Sequence, residues 1–314
     1  MAEPTASLDP AHGVRTRLAV RRPFSLAATV LGYGYWELPP LLWDGAARLA
    51  RAEELAGTVY LLELSAAPAR SRTQAFVDLG IAPDPGASLP ILAGRARKML
   101  RLDDDLSGFY RLCRTDARLR AVPRLGAGRL IRGTTLFEDT VKAIAWTNTT
   151  WTQAVRMIRA IGALGRVCDA RPTLRAWPDP DTILAAGPPY LERTARLGYR
   201  AGYILDLARQ VVEGRCNLHA IERVEDGAEQ ARALLGLRGV GPASVAYLQA
   251  MLGCYERPVL DSATLGYLSR EYFRGRRPTP AQVERRLARY GRWKGLALWF
   301  GHWVASGQSR RVPR

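Results

Sequence analysis

The chain of 314 residues contains almost no lysine and no long apolar segment. Lys98, Lys142 and Lys294 are its only lysines, which limits the residues that could form a Schiff base. No apolar run reaches the roughly 18 residues that a membrane-spanning helix needs. The N-terminus also lacks the positively charged region and apolar stretch of a secretory signal. We therefore expect a cytoplasmic protein without a membrane partner.

Cysteine is scarce too, and the four cysteines of the chain lie far apart, at Cys113, Cys168, Cys216 and Cys254. A zinc or iron–sulfur site needs closely spaced ligands. Only Cys216 and His219 lie near each other, and nothing nearby completes a set of four ligands. The sequence therefore predicts reduced thiols, with no zinc site and no iron–sulfur cluster.

Acidic residues are too few to balance the basic ones. Lys and Arg together number 46 against 29 Asp and Glu, so the formal net charge is +17. Such an excess is typical of proteins that bind a polyanion, most often nucleic acid, because contacts with phosphates release condensed counterions. The alternative is a general arginine bias of the proteome, which the Ala-, Arg- and Leu-rich composition also fits.

The hydrophobic pattern changes along the chain from strand-like to helical at about residue 91. We predict an α+β fold that is mainly helical, with an antiparallel β-rich N-terminal domain followed by a helical core. The predicted parts are a disordered tail at 1–15, the β-rich domain at 16–104, the helical core at 105–308 and a basic tail at 309–314.

Short β-branched or aromatic runs separated by Gly and Pro locate the predicted strands of the first domain. These runs are Phe24–Val30, Tyr33–Glu37 and Thr58–Leu64. We predict a helix over Thr73–Leu79, before a proline-rich turn region.

The segment 234–268 contains a turn with two glycines, Gly239 and Gly241, followed by Pro242. Proline suits the first position of a helix, and a glycine-containing turn before a helix N-terminus directs several N–H groups at one point, where an anion can bind. A lone Gly-Val-Gly is more often a simple packing corner between helices. Asp261 follows Gly241 by 20 residues, where it can cap a helix starting at Ser262 and also face a cleft.

A hairpin followed at this distance by Val-Leu-Asp resembles the helix-hairpin-helix DNA glycosylase superfamily, in particular 3-methyladenine DNA glycosylase II and 8-oxoguanine DNA glycosylase. Three further segments resemble these enzymes in the same order: Leu136–Trp151, Leu197–Ala201 and Tyr290–Trp299. The similarity covers roughly residues 20 to 305. It implies a two-lobed helical core with the helix-hairpin-helix at 228–253.

The resemblance also implies roles for residues of the hairpin and for Asp261, which would be the catalytic carboxylate. The N–H groups that would hold a DNA phosphate are those of Gly239, Gly241 and Ser244. The carbonyls that would bind a structural Na⁺ or K⁺ are those of Leu235, Leu237 and Val240.

Two further groups of residues have roles implied by the resemblance or by the chemistry of a flipped base. The residues that would fill the gap in the duplex and contact the orphaned base are Asn148, Tyr199 and Arg200. An electron-poor purine suits a pocket of aromatic faces. The candidate pocket residues are Trp146, Trp151, Tyr247 and Trp299, each of which could equally be core packing.

The chain departs from the family pattern at the position that holds a Schiff-base lysine in bifunctional members, where it has Ala243. Strand cleavage thereby loses its usual nucleophile. The chain also lacks the four closely spaced C-terminal cysteines of the endonuclease III branch, which disfavours that branch. It has Leu298 where 8-oxoguanine enzymes present a glutamine to the flipped base.

These features predict a monofunctional DNA glycosylase that flips a damaged, most plausibly alkylated, purine out of duplex DNA. It would hydrolyse the N-glycosidic bond and leave an abasic site for base excision repair. We expect it to need no cofactor and to act on double-stranded DNA as a monomer at the nucleoid. One alternative is an 8-oxoguanine glycosylase. The other is a non-catalytic DNA-binding module in which Asp261 only caps a helix.

Overall fold

The structure is a computed structural model that describes residues 13–68, 71 and 73–313. Its first part contains a five-stranded antiparallel sheet. Its strands are β1 (Val14–Arg21), β2 (Leu41–Trp43), β3 (Arg48–Leu55), β4 (Thr58–Ala66) and β5 (Gln74–Ala82). Their order across the sheet is β1-β5-β4-β3-β2, and every pairing is antiparallel. The β-rich beginning of an α+β fold is thus confirmed.

β5 lies inside the sheet between β1 and β4, and the helix predicted over Thr73–Leu79 is wrong. The strand pairs with β1 on one side, where Val77 faces Leu18, and with β4 on the other. Val77, Leu79 and Ile81 are fully buried at every second position, which is the period of a strand with one face in the core.

Two predicted strands are also short helices in the structure. Within Phe24–Val30 the chain forms α1 (Leu26–Val30), because the Ser25 hydroxyl accepts the Ala28 N–H at 3.2 Å and caps the turn. Within Tyr33–Glu37 it forms a 3₁₀ turn over Gly34–Glu37. The prediction over Thr58–Leu64 is confirmed as β4.

After the sheet, the described part of the chain is helical. The helices are α2 (Leu89–Met99), α3 (Ser107–Thr115), α4 (Ala121–Arg124), α5 (Leu136–Ala145), α6 (Trp151–Gly162), α7 (Pro180–Pro189), α8 (Arg200–Val212), α9 (Leu218–Glu222), α10 (Gly227–Leu235), α11 (Pro242–Leu252), α12 (Ser262–Tyr272), α13 (Pro280–Leu287) and α14 (Lys294–Ala305). Among the described helices, none is long and apolar enough to cross a bilayer.

The predicted tails differ from the structure where the two can be compared. Val14 and Arg15 belong to β1, and most of the rest of segment 1–15 lies outside the described residues. At the other end, a 3₁₀ turn over Gln308–Arg311 brings Val312 into the core, where it is 6% exposed. The segment 309–314 is therefore not a free tail over its described residues.

Side-chain caps fix where several helices begin. Thr135 accepts the N–H of Glu138 at the start of α5, and Thr150 accepts that of Gln153 at the start of α6. Proline occupies the first position of α11, where a missing N–H costs nothing. These caps set the direction of α5 and α6 and thereby the position of the loop between them.

The sheet is joined to α5 by a buried network of charges that the sequence did not reveal. Arg51 of β3 is 1% exposed and donates to both carboxylate oxygens of Glu138, at 3.2 and 2.8 Å. Lys142, one turn further along α5, is also buried and pairs with Glu138 at 2.6 Å. The neighbouring Asp139 belongs to the same network and accepts from Arg132 at 2.9 Å and from the Tyr35 hydroxyl at 2.8 Å.

Glu138→Gln is expected to lower the free energy of unfolding by about 3–5 kcal/mol at pH 7, because it leaves buried cations without their partner. The adjacent cations hold the pKa of Glu138 at about 2 despite its burial. The wild type should therefore lose stability as the pH falls from about 4.5 through 2. Urea denaturation across this range measures both effects.

The control is Asp78→Asn, which removes the exposed ion pair of Asp78 with Arg17. This variant should lower the free energy of unfolding by less than about 1 kcal/mol. Equal losses for the two variants would contradict a structural role of the buried network.

Candidate functional site

The two-glycine turn connects α10 and α11 as a compact hairpin. Leu237 and Val240 are buried beneath it, and the Val240 N–H donates to the Leu237 carbonyl at 3.1 Å. The N–H groups of Gly239, Gly241 and Ser244 donate to no carbonyl within the described residues. Because α11 begins just after Gly241 without a side-chain cap, its positive dipole end adds to these unpaired donors.

Gly239 is required by both its backbone and its surroundings. Its φ is +87°, and a Cβ added there would lie 2.5 Å from the ring of Tyr203. Gly241, by contrast, faces open space within 4 Å. The guanidinium of Arg238 lies over the Tyr203 ring at 5.2 Å and fixes the turn against α8.

The hairpin also contains the carbonyls that the resemblance assigns to a monovalent cation. Those of Leu235 and Val240 accept no backbone hydrogen bond within the described part of the chain, and that of Leu237 accepts one. Carbonyl oxygens with free lone pairs are the ligands that hard cations prefer. The carbonyl oxygens of the turn are therefore suitable ligands for Na⁺ or K⁺.

Asp261 lies at the start of α12 and is exposed. Its Oδ1 accepts the Thr264 N–H at 2.7 Å and the Thr264 hydroxyl at 2.9 Å, while Thr264 accepts the Asp261 N–H in return. This capping box confirms the local reading of Asp261 as an N-cap. Its Oδ2 makes no hydrogen bond among the described residues, so the carboxylate keeps one oxygen for another partner.

His302 of α14 is within reach of the Asp261 charge, and the sequence reading missed it. Burial lowers the pKa of His302, and the Asp261 charge opposes that shift. The imidazole also packs on the Tyr267 ring of α12 with centroids 5.8 Å apart. Because His302 follows Trp299 by three residues, both side chains lie on the same face of α14. Asp261 is thus linked through α14 to the predicted aromatic pocket.

The four predicted pocket residues form one row of rings. Trp151 and Trp146 have centroids 6.0 Å apart, Trp146 and Tyr247 are 4.3 Å apart edge to face, and Tyr247 and Trp299 are 6.5 Å apart. Tyr247 is buried, Trp146 and Trp299 are half-buried, and Trp151 is 40% exposed. The row therefore runs from solvent into the core.

Tyr33 extends this row and was not predicted as a site residue. Its ring meets that of Trp299 edge to face at 5.1 Å, and its hydroxyl donates to the Ile131 carbonyl. The Tyr247 hydroxyl is buried nearby. Burial raises the pKa of both phenols, so each remains a neutral hydroxyl. No local cue pointed to Tyr33, which lies in a segment predicted as a strand.

Asn148 and Tyr199 project from neighbouring loops and contact each other. The Asn148 backbone has a φ of +47°, and its side-chain amide donates to the Tyr199 hydroxyl at 3.3 Å. Tyr199 is 53% exposed and packs on Tyr203 edge to face at 5.7 Å. An exposed aromatic ring braced in this way has the geometry of a wedge.

Arg200 does not fit the role that the resemblance gives it. It is 8% exposed, and its guanidinium donates to the carbonyls of Thr147 at 3.0 Å, Asn148 at 3.2 Å and Leu197 at 3.3 Å. These carbonyls occupy its donors, so the side chain is positioned to hold the Asn148 loop rather than to reach a base. We therefore assign Arg200 a positioning role.

Two substitutions separate these roles. Arg200→Ala should lower the free energy of unfolding by about 2–4 kcal/mol, because it leaves the carbonyls of Thr147 and Asn148 without a donor. Tyr199→Ala should change stability by less than about 1 kcal/mol, since the ring is exposed, and should instead weaken binding to duplex DNA. Urea denaturation and DNA titration measure the two effects, and an Arg200→Ala variant of wild-type stability would contradict the assignment.

All three lysines of the chain are held in ion pairs. Lys98 pairs with Glu222 at 2.6 Å, Lys142 with Glu138, and Lys294 with Glu284. Ala243 lies exposed in the first turn of α11.

The predicted site residues are connected by one path of neighbouring side chains and segments. This path leads from Asp261 along α14 to the aromatic row. From Trp146 of that row, the following loop leads to Asn148, which contacts Tyr199. Tyr199 packs on Tyr203, which in turn contacts the hairpin at Gly239. The hairpin is also connected directly to the aromatic row, because Tyr247 of the row belongs to α11, the second helix of the hairpin. An exposed carboxylate, a row of aromatic rings and a set of unpaired N–H groups are thus connected through neighbouring residues.

This arrangement matches a known class of fold. No protein-family model matches the chain, and no curated protein matches its sequence. Solved structures do match it, among them several DNA glycosylases. A 3-methyladenine DNA glycosylase from Archaeoglobus fulgidus superposes with a TM-score of 0.74 at 20% identity, over 92% of this chain and 98% of that one.

Two other glycosylases are similar at lower scores. The 8-oxoguanine glycosylase/lyase of Clostridium acetobutylicum, in complex with DNA, has a TM-score of 0.63 at 15% identity, over 83% of this chain and 85% of its own. The Schizosaccharomyces pombe 3-methyladenine DNA glycosylase Mag1, in complex with abasic DNA, has a TM-score of 0.52 at 15% identity, over 64% of this chain and 97% of its own. The chain has the fold of the helix-hairpin-helix DNA glycosylases, as the sequence motifs predicted.

Proposed function

We propose that this protein is a DNA glycosylase that removes an alkylated purine from duplex DNA by hydrolysis, as a monomer, and leaves an abasic site for base excision repair. The observation that carries the proposal is the path of neighbouring side chains that connects Asp261, the aromatic row and the hairpin. Each meets one requirement of the reaction. Asp261 supplies negative charge next to the reacting sugar, the aromatic row supplies ring faces on which the flipped base can stack, and the hairpin binds the DNA backbone.

Asp261 is the group we assign to the reacting sugar. Cleavage of the N-glycosidic bond leaves its electron pair on the base and gives the sugar oxocarbenium character, which a carboxylate stabilises. Water then adds to C1′ and passes a proton to Asp261 as general base. The oxygen that is not used for capping is the one available for this step.

The Asn148–Tyr199 pair is the element we assign to base flipping. Extrusion of a base costs a few kcal/mol of stacking and pairing, and an aromatic ring inserted in its place recovers part of that. Tyr199 is the exposed ring of this pair, and Arg200 holds the loop that braces it.

The aromatic row is what favours an alkylated purine over an oxidised one. A purine alkylated on a ring nitrogen is cationic, so it gains from aromatic faces and leaves readily as a neutral base. Leu298, where a glutamine would contact oxidised guanine, is buried and apolar on α14.

The hairpin is the part we assign to DNA anchoring. The N–H groups of Gly239, Gly241 and Ser244 would hold one phosphate, and the carbonyls of Leu235, Leu237 and Val240 would hold Na⁺ or K⁺ beneath the turn. The cation would neutralise the carbonyl ends facing it and supply no reaction chemistry. We propose no other cofactor.

The protein should release the base without cutting the strand, since no lysine is free for a Schiff base. Ala243→Lys should therefore create a new activity, because it places an amine on the exposed first turn of α11. We expect borohydride to trap a covalent DNA complex with this variant and none with the wild type. A trapped wild-type complex would contradict the proposed hydrolysis by water.

The substrate is tested with labelled duplexes that contain one lesion each: 3-methyladenine, 7-methylguanine, hypoxanthine, uracil, or 8-oxoguanine opposite cytosine. Strand breaks are scored with and without alkali. Breaks only after alkali, and fastest for a methylated purine, are expected. A preference for 8-oxoguanine would replace the alkylated purine as substrate, and binding without release from any duplex would favour the non-catalytic module.

A further inference from the structure

The positive charge of the chain is not concentrated on the hairpin. From Gly227 to Gly253 the helix-hairpin-helix contains two arginines and one glutamate. The segments 111–124 and 270–292 together contain thirteen arginines and three acidic residues, and so account for more than half of the net charge of +17. The excess therefore needs an explanation other than the hairpin.

The two segments pack against each other, although 145 residues separate them in the sequence. Asp116 accepts from Arg289 at 2.6 Å and from the Tyr290 hydroxyl at 2.7 Å. The guanidinium groups of Arg118 and Arg286 both lie over the Tyr272 ring, at 4.8 and 4.3 Å. The arginines of α3–α4 and of α12–α13 thus form a single surface.

A cleft of about 660 Å³ opens in this surface, lined by four arginines and two prolines: Arg22, Arg114, Arg120, Arg124, Pro23 and Pro123. All four arginines are exposed, and none forms an ion pair within the described residues. No carboxylate lines the cleft. Like charges held together in this way repel one another until an anion neutralises them.

The cleft and the two arginines over Tyr272 form what we call the arginine face, which lies at a defined distance from Asp261. Helix α12 begins at Asp261 and ends at Tyr272. At 1.5 Å per residue, Tyr272 is about 16 Å from Asp261 along the helix axis. That length corresponds to about five base pairs of duplex DNA.

We propose that the arginine face binds the phosphate backbone of the same duplex outside the lesion, about half a helical turn or more from the flipped base. Planar guanidinium groups match phosphate oxygens bidentately, which favours a phosphodiester as the anion. The proposal rests on the proposed function in taking duplex DNA as the substrate. It adds an electrostatic footprint that the hairpin and wedge do not provide.

The test is a fourfold substitution of the cleft arginines by glutamine: Arg22→Gln, Arg114→Gln, Arg120→Gln and Arg124→Gln. Affinity is measured as a function of salt for a lesion duplex of 30 base pairs and for a shorter one that extends only about three base pairs beyond the lesion on each side and is closed by a hairpin loop at each end. On the long duplex, the slope of log K against log salt should become shallower by about 3. The ratio of the wild-type affinity to that of the fourfold variant should then fall about 60-fold between 50 and 200 mM salt. On the short duplex the two proteins should be alike.

The matched control removes the same charge from exposed arginines of the sheet and of the α8–α9 side: Arg15→Gln, Arg48→Gln, Arg209→Gln and Arg223→Gln. It should leave the salt slope on both duplexes close to that of the wild type. An equal effect of the two fourfold variants would mean that only net charge matters and would overturn the proposal.

Two other results would also overturn it. An unchanged slope on the long duplex would show that the face does not contact DNA. A loss that appears only when a second, lesion-free duplex is added would assign the face to another DNA molecule. Base release from the short duplex at saturating protein is measured in parallel. Its absence in the wild type would reject the proposed glycosylase, whereas the salt slopes would still test the arginine face.

Discussion

Asp261→Asn is expected to slow single-turnover base release by about 10²- to 10⁴-fold, because it removes the charge that faces the sugar and the base that accepts a proton from water. Lesion affinity and stability should remain close to those of the wild type. Asparagine caps helices about as well as aspartate, so it can still accept the Thr264 N–H. Quenched-flow release from a lesion duplex, with protein in excess, measures the effect.

The matched control is Asp179→Asn. Asp179 caps α7 in the same manner, accepting the Thr182 N–H at 2.7 Å, but it belongs to no part of the proposed site. This variant should release the base at the wild-type rate. An Asp261→Asn enzyme of undiminished rate would remove Asp261 from the reaction and leave it only the capping role.

Gly241→Glu should lower affinity for every duplex at least about 100-fold, whether or not a lesion is present. It places a carboxylate where the hairpin N–H groups would hold a phosphate, and such a juxtaposition of like charges costs several kcal/mol. The fold should tolerate the change, since Gly241 has a φ of −95° and nothing lies within 4 Å of an added Cβ. Fluorescence anisotropy with undamaged and lesion duplexes measures it.

Gly94→Glu provides the same change of charge as a control. Gly94 is exposed on α2, also with nothing within 4 Å of an added Cβ. We expect at most a few-fold loss of affinity there. Gly239 is unsuitable for this test, because a side chain would collide with Tyr203 and alter the hairpin itself. Normal DNA affinity of Gly241→Glu would reject the hairpin as the anchor.

Local sequence cues were sufficient for the hairpin and its surroundings. The Gly-Val-Gly-Pro turn, the Asp261 cap and the exposed Tyr199 each depend on residues close together in the sequence, and such signals survive folding. Arg200 was misread because the turn predicts exposure, whereas the carbonyls of Thr147 and Asn148 lie 52 or 53 residues away and bury its guanidinium.

Long-range pairings account for what the sequence left hidden. Nothing near Arg51 indicates that it meets Glu138, which lies 87 residues away, or that Tyr35 meets Asp139. The arginine face has the same origin, since its two segments become one surface only when α3–α4 packs on α12–α13. In β5 the cue was present, as Val77, Leu79 and Ile81 alternate with less hydrophobic residues, but the run was read as helical.

The most direct test of the proposed activity is the release of free base from methylated duplex DNA, followed by mass spectrometry with an enzyme-free control. We predict that 3-methyladenine or 7-methylguanine appears in solution while the lesion strand stays whole, lighter by the base and heavier by one water. Asp261→Asn should match the enzyme-free control. Duplex that is bound by the wild type, yet yields no base above that control, would contradict the assignment of this protein as an alkylpurine glycosylase.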